Sequence, residues 1–89
     1  MKPNDNIIFI GKKPSMSYVM ALATQLGGNH EVHIKARGQS ISKAVDVVEI
    51  VRNRFVKELK VDKIDIGTDS LKVEDKEINV STIDILVKK

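Results

Sequence analysis

The sequence predicts an α/β fold: a two-layer sandwich of order β-α-β-α-β-β, one mixed four-stranded sheet with two helices on it. Three observations lead there. Short β-branched runs alternate with stretches of helical period over the first two-thirds of the chain. Proline and glycine punctuate those changes of period. Two strand-like segments then close the chain, separated by the short polar stretch Glu74-Asp75-Lys76. At 89 residues the chain is sized for one domain with one core, spanning residues 1–89.

Each element has its own justification. Residues 6–10, NIIFI, are β-branched and aromatic between Asp/Asn and Gly, which reads as a buried strand. Residues 14–27 carry Met16, Val19, Met20, Ala23 and Leu26 at helical spacing. Pro14 suits a first helical turn, and Gly27-Gly28 stops the pattern. In residues 31–36, EVHIKA, Val32, Ile34 and Ala36 alternate with His33 and Lys35, as a half-buried strand requires. Gly38 breaks the chain. A long helix is expected from about Ser40 to Leu59, with Ser40 as N-cap and a stripe of Ile41, Ala44, Val45, Val48, Val51, Phe55 and Leu59. Strands are expected over roughly 61–73 and 77–87, forming an antiparallel hairpin. A right-handed crossover places the first helix on one face of the sheet, and the second should join it there. The other face is left largely open.

Composition excludes several classes. There is no cysteine, hence no disulfide framework and no thiolate metal site. The apolar runs, such as Ile7-Ile8-Phe9-Ile10, are far too short to span a bilayer. The opening MKPNDN has no apolar signal-peptide core. No membrane partner and a cytoplasmic location are therefore expected. Phe9, Tyr18 and Phe55 are the only aromatics, too few for a base-stacking platform. Net charge is +3, unevenly spread: residues 1–43 hold six Lys/Arg against two acids, and residues 44–89 hold nine against ten. The basic excess of the first half suggests an anionic partner.

Two stretches carry that excess. In Ile10-Gly11-Lys12-Lys13-Pro14-Ser15, a lysine pair lies between a strand and a helix start. Two readings stand. Either Pro14 opens the helix, Lys13 takes the cap position without an acceptor, and the free N–H groups with two ammonium groups make an anion site. Or Ser15 or Ser17 caps a slightly later start and the lysines are solvated. The second stretch is Lys35-Ala36-Arg37-Gly38-Gln39-Ser40-Ile41-Ser42-Lys43, again a strand, a turn and a helix start. In a parallel strand pair both corners fall on one sheet edge. Lys12, Lys13, Arg37 and Lys43 should thus converge. No enzyme signature accompanies them. GKKPS lacks the upstream glycine of a Walker loop. His30 and His33 would point to opposite faces of a strand, no serine has a histidine partner in sequence, and the hairpin acids show no paired-carboxylate pattern. No cofactor or metal is implied.

The blocks IGKKPSMSYV, IKARGQSISKAVDVVEIVRNRF and VSTIDILVKK resemble the Alba family of archaeal DNA/RNA-binding chromatin proteins, nearly end to end and in the family's order. The resemblance implies a fold similar to the C-terminal domain of translation initiation factor three. It also implies a chromosome-associated homodimer that lays basic loops and two hairpin arms along double-stranded DNA or structured RNA, with further assembly of dimers along DNA. By the same resemblance Lys12, Lys13 and Arg37 contact the backbone. Tyr18, Lys43, Arg52 and Arg54 are carried over beside them, and Lys35, Gln39, Lys72 and Lys76 complete the set of candidate nucleic-acid-binding residues. Lys12 is the position acetylated in some relatives, and Phe55 the position that packs between dimers. Related eukaryotic proteins sit in ribonuclease P, so an RNA-binding subunit of a ribonucleoprotein or RNA-processing complex is the alternative role. Two departures stand out. Gln39 replaces a residue that is basic in many relatives. The arm mixes Lys72 and Lys76 with Asp69, Glu74, Asp75 and Glu77, and so should enter a minor groove poorly.

The resulting expectation is a non-catalytic dimer with little base preference, since phosphate contacts carry little sequence information. Ile50, Val56, Leu59, Ile64, Ile66 and Leu71 are among apolar positions that one small core should not be able to cover. They predict a two-fold interface built from the second helix and the hairpin.

Overall fold

The structure is a computed structural model describing residues 6–89; residues 1–5, with the signal-peptide reading made on them, lie outside the described residues. The expected order is observed. Strand β1 (Ile7–Phe9), helix α1 (Ser15–Gly28), strand β2 (Glu31–Arg37), a single 3₁₀ turn (Gly38–Ser40), helix α2 (Ile41–Arg54) and strands β3 (Lys60–Val73) and β4 (Lys76–Lys88) follow one another. The sheet runs β1-β2-β4-β3. β1 and β2 are parallel, with Ile8 opposite Ile34 and Phe9 opposite Lys35. β4 inserts antiparallel between β2 and β3, with Ile85 opposite both Ile34 and Ile64.

Strand alternation sets the core. Val32, Ile34 and Ala36 are buried, and the partners of the first two, Val87 and Ile85, are buried with them. From the other layer α1 contributes Val19, Leu22 and Leu26, and α2 contributes Ala44, Val47, Val48 and Val51. The sequence reading phased α1 differently. Met16 and Met20, placed on its buried stripe, are about half exposed, and Leu22 is buried instead. α1 is apolar nearly all round, so two overlapping stripes fit its sequence. Contact with the sheet and α2 selects one of them. On α2, Val45 is likewise exposed and Val47 takes the core position.

α2 is shorter than its periodicity implies. It ends at Arg54, where the amides of both Phe55 and Val56 donate to the Val51 carbonyl, at 2.9 and 2.8 Å. The chain then turns, Leu59 N–H donating to the Val56 carbonyl. Leu59 is buried by this turn, whereas Phe55 is half exposed. The four-residue spacing of Val51, Phe55 and Leu59 mimics a continuing stripe, so the sequence reading ran the helix five residues too far. Ser40 does not cap α2: it is itself in helical geometry and makes no side-chain cap bond.

The hairpin turn is tighter than the stretch that marks it. Glu74 and Asp75 both have positive φ, 49° and 66°, and Lys76 already pairs with Val73. This is the backbone of a two-residue hairpin turn made without glycine. All of β3 is exposed. No helix is long and apolar enough to cross a membrane among the described residues.

Candidate nucleic-acid interface

Because β1 and β2 run parallel in register, their C-terminal ends open on the same edge. The loop after β1 starts beside Lys35, whose carbonyl accepts from Ile10 N–H at 2.8 Å. α1 then begins at Ser15, with Pro14 before it as cap residue and no side-chain cap bond. Neither sequence reading of this corner is met in full. Lys13 is not the cap residue, and no serine caps a later start. The first turn of α1 also holds no acidic side chain. The positive end of the helix dipole therefore has no carboxylate from its own first turn, and of the first amides Ser17 N–H donates to the Pro14 carbonyl at 3.0 Å.

Two side chains wire this loop into shape. The Tyr18 hydroxyl accepts from the backbone N–H of Gly11 at 2.9 Å and of Lys13 at 3.2 Å. The Lys43 ammonium, from the first turn of α2, donates to the carbonyls of Lys13 at 2.8 Å and Gly11 at 3.2 Å. One phenol takes the loop's amides and one ammonium takes its carbonyls. Gly11 leaves room for this phenol: a Cβ there would lie 3.3 Å from the Tyr18 oxygen and press it back by a few tenths of an ångström. Lys12 and Lys13 are exposed and make no ion pair among the described residues. The convergence of Lys12, Lys13 and Lys43 is thus direct. Tyr18 and Lys43 have a structural task in it, although an ammonium with three N–H groups keeps one to spare.

The second corner is differently arranged. Gly38 turns the chain with φ of 61°, a value that favours glycine. Arg37, just before it, lies 3.6 Å from the Asp69 carboxylate on β3. Lys35 lies 3.6 Å from Asp84 on β4, and the other Asp84 oxygen is 3.0 Å from His33 Nδ1. His33, Lys35 and Arg37 alternate with the buried residues of β2 and so occupy the open face of the sheet. A concavity of about 650 Å³ lies there, lined by Phe9, Lys35, Arg37, Asp65, Asp69 and Asp84 among others. Phe9 is 68% exposed beside it.

The remaining candidates fall elsewhere. Gln39 is exposed in the 3₁₀ turn. Arg52 is paired with Glu49 one turn back, and Arg54 is exposed at the end of α2. Helical rise puts these two about 15 Å along the axis from Lys43. Lys72 lies opposite Glu77 and Lys76 opposite Val73 on the arm. Sequence reasoning missed the aspartates that pair with β2. Asp69 and Asp84 are visible as charges, but the register that sets them beside Arg37 and Lys35 joins strands more than 30 residues apart.

A two-layer sandwich whose parallel strands deliver two cationic turns to one sheet edge, one of them at an uncapped helix start, defines an anion-facing α/β module. The Alba family model matches residues 6–68. A protein of Methanocella arvoryzae named DNA/RNA-binding protein Alba is 52% identical over 89 residues, covering 98% of this chain and 93% of that one. One of the same name from Picrophilus torridus is 49% identical over 93% of this chain and 94% of its own. Among solved structures, Alba from Thermoplasma volcanium superposes with a TM-score of 0.89 at 47% identity, covering 94% of this chain and all of that one. ALBA1 from Trypanosoma brucei does so with 0.78 at 27% identity, over 100% and 72%. The chain belongs to the Alba family.

Proposed function

We infer that the chain is a non-catalytic nucleic-acid-binding protein that grips the phosphate backbone of duplex DNA and structured RNA, with low sequence preference, as a homodimer. One observation carries this reading. The loop of Lys12 and Lys13 is held in shape through its backbone by Tyr18 and Lys43, while its two ammonium groups point outward with no carboxylate partner among the described residues. A rigid backbone under free cations loses little entropy on meeting phosphate. The names of the relatives, DNA/RNA-binding protein Alba, support the same ligand class.

The dimer is supported by what the sheet leaves uncovered. Within the sheet, the helices lie chiefly over β1 and β2. Ile64 and Ile66 share the helix-side face, through pairing with Ile85 and Ile83, yet are 56% and 82% exposed. Exposed Val45 lies on α2. A second copy meeting this face by two-fold symmetry would bury it and double the basic corner. Leu59, one of the positions expected to be surplus, is already buried in the monomer, as are Ile85 and Val87 of β4. The interface therefore rests on fewer residues than the sequence suggests. In this reading Phe55, half exposed beyond the end of α2, meets a neighbouring dimer.

Titration of duplex DNA against salt tests the reading. Two unpaired lysines per protomer give a dimer about four phosphate contacts and a log–log slope of about −3 to −4. A flat salt response, or a tight preference for one sequence among unrelated duplexes, overturns it.

A further inference from the structure

The two cationic turns differ in one respect that bears on affinity. The cations of the first are without a carboxylate among the described residues, whereas both cations of β2 meet an aspartate from the C-terminal hairpin, Arg37 with Asp69 and Lys35 with Asp84. Strand register sets the backbones of Arg37 and Asp69 within reach of each other. Asp69 sits in an unbroken stretch of the β3–β4 ladder, opposite Val80. Val80 in turn packs at the glycine that follows Arg37: a Cβ on Gly38 would lie 3.5 Å from its Cγ1. The root of the arm is thereby held against the turn, and its carboxylate over the guanidinium.

Both partners are more than half exposed, at 62% and 53%. Exposed ion pairs are weak. A phosphate, which a guanidinium binds through two parallel N–H groups, is able to displace the carboxylate. The displaced carboxylate stays tethered nearby, where it repels the incoming phosphate. Each Arg37 contact is therefore made against an internal competitor.

We propose that Asp69 is an affinity-setting residue, an internal carboxylate that competes with nucleic-acid phosphate for Arg37. This rests on the phosphate-binding reading above. It assigns the arm a regulatory part in binding that differs from direct contact with the groove. Binding is weakened and made less salt-dependent than the number of lysines and arginines on the edge implies.

The test compares wild type with Asp69→Asn in fluorescence titrations of a duplex DNA across a range of salt. The substitution is isosteric at an exposed strand position, so the fold is retained. Two controls accompany it. Asp75→Asn removes the same charge at the hairpin tip, where φ of 66° suits asparagine. The pair Arg37→Gln and Arg37→Gln/Asp69→Asn closes a double-mutant cycle. Asp69→Asn is expected to tighten binding by about fivefold or more for a dimer, releasing an exposed ion pair in each protomer. It should also steepen the log–log slope by about one to two units as each Arg37 regains its phosphate. Asp75→Asn should do far less, and the gain should vanish when Arg37 is glutamine. An equal gain from Asp75→Asn, or a gain that survives in the Arg37→Gln background, overturns the proposal in favour of bulk charge while leaving phosphate binding intact. Failure of both wild type and Asp69→Asn to bind at low salt sinks the functional reading, and with it any competition.

Discussion

The loop between β1 and α1 and the β3–β4 hairpin both carry lysines, but the fold treats them in opposite ways. In the loop, hydrogen bonds from other side chains are spent on the backbone, and the Lys12 and Lys13 ammonium groups are left to solvent. In the hairpin the backbone is satisfied by its own ladder. Its charges are interleaved, Lys63 with Asp65 and Lys88 with Asp62, and Ile64 and Ile66 are the barest of the apolar residues it leaves uncovered. An element with compensated charge and bare isoleucines is suited to meet protein. An element with locked backbone and bare ammonium groups is suited to meet phosphate. Counting basic residues along the chain treats the two alike.

The largest effect should come from placing charge where the hairpin is bare. Ile66→Asp leaves the monomer core untouched, because Ile66 is 82% exposed. A two-fold interface would feel it twice, at about 1.5–3 kcal/mol per lost side chain. Dimer association measured by sedimentation should weaken by about a hundredfold or more, with the circular dichroism unchanged. An unaltered dimer would remove the hairpin from the interface and break the comparison at its protein-facing end.

Next in size is the loop. The double change Lys12→Gln and Lys13→Gln should cost about a hundredfold in duplex affinity at low salt and flatten the salt dependence toward zero. The loss should be equal for duplexes of unrelated sequence. A loss confined to one sequence would make these lysines base readers. Lys12→Gln alone, which also imitates acetylation, should give a smaller loss of the same uniform kind.

Tyr18→Phe sharpens the point about wiring. It removes the acceptor shared by two amides, of which that of Gly11 is partly buried. Stability in urea should fall by about 1 kcal/mol. Affinity for DNA should fall as well, although no charge is lost. Unchanged binding with lowered stability would show that the loop does not need its shape to grip phosphate.

The smallest effect is expected on the arm. Lys72 faces Glu77 across the ladder, and Asp75 and Glu77 flank Lys76 in the chain. Lys72→Gln and Lys76→Gln together should change duplex affinity by about threefold or less, as screened surface charges with nearby acids do. A loss as large as that of the loop pair would make the arm a phosphate contact after all.

The sequence alone determined the element order and the burial of β2. The alternation of Val32, Ile34 and Ala36 fixes a face, and the glycine and proline breaks fix where period changes. It also placed both basic corners on one edge, because a parallel β-α-β unit admits no other arrangement. These are local patterns joined by one chirality rule. Tertiary structure decided the rest. It chose which of two apolar stripes α1 buries, bringing Leu22 inward and leaving Met16 and Met20 outside. It ended α2 at Arg54 and brought Leu59 in by a turn. It also assigned the counter-ions, setting Asp69 on Arg37 and Asp84 on Lys35 while leaving Lys12 and Lys13 without such a partner among the described residues. Those pairings depend on the register of strands far apart in the chain, and on a strand order in which β4 inserts between β2 and β3. A charge's partner is set by distance in space, which a one-dimensional pattern does not contain.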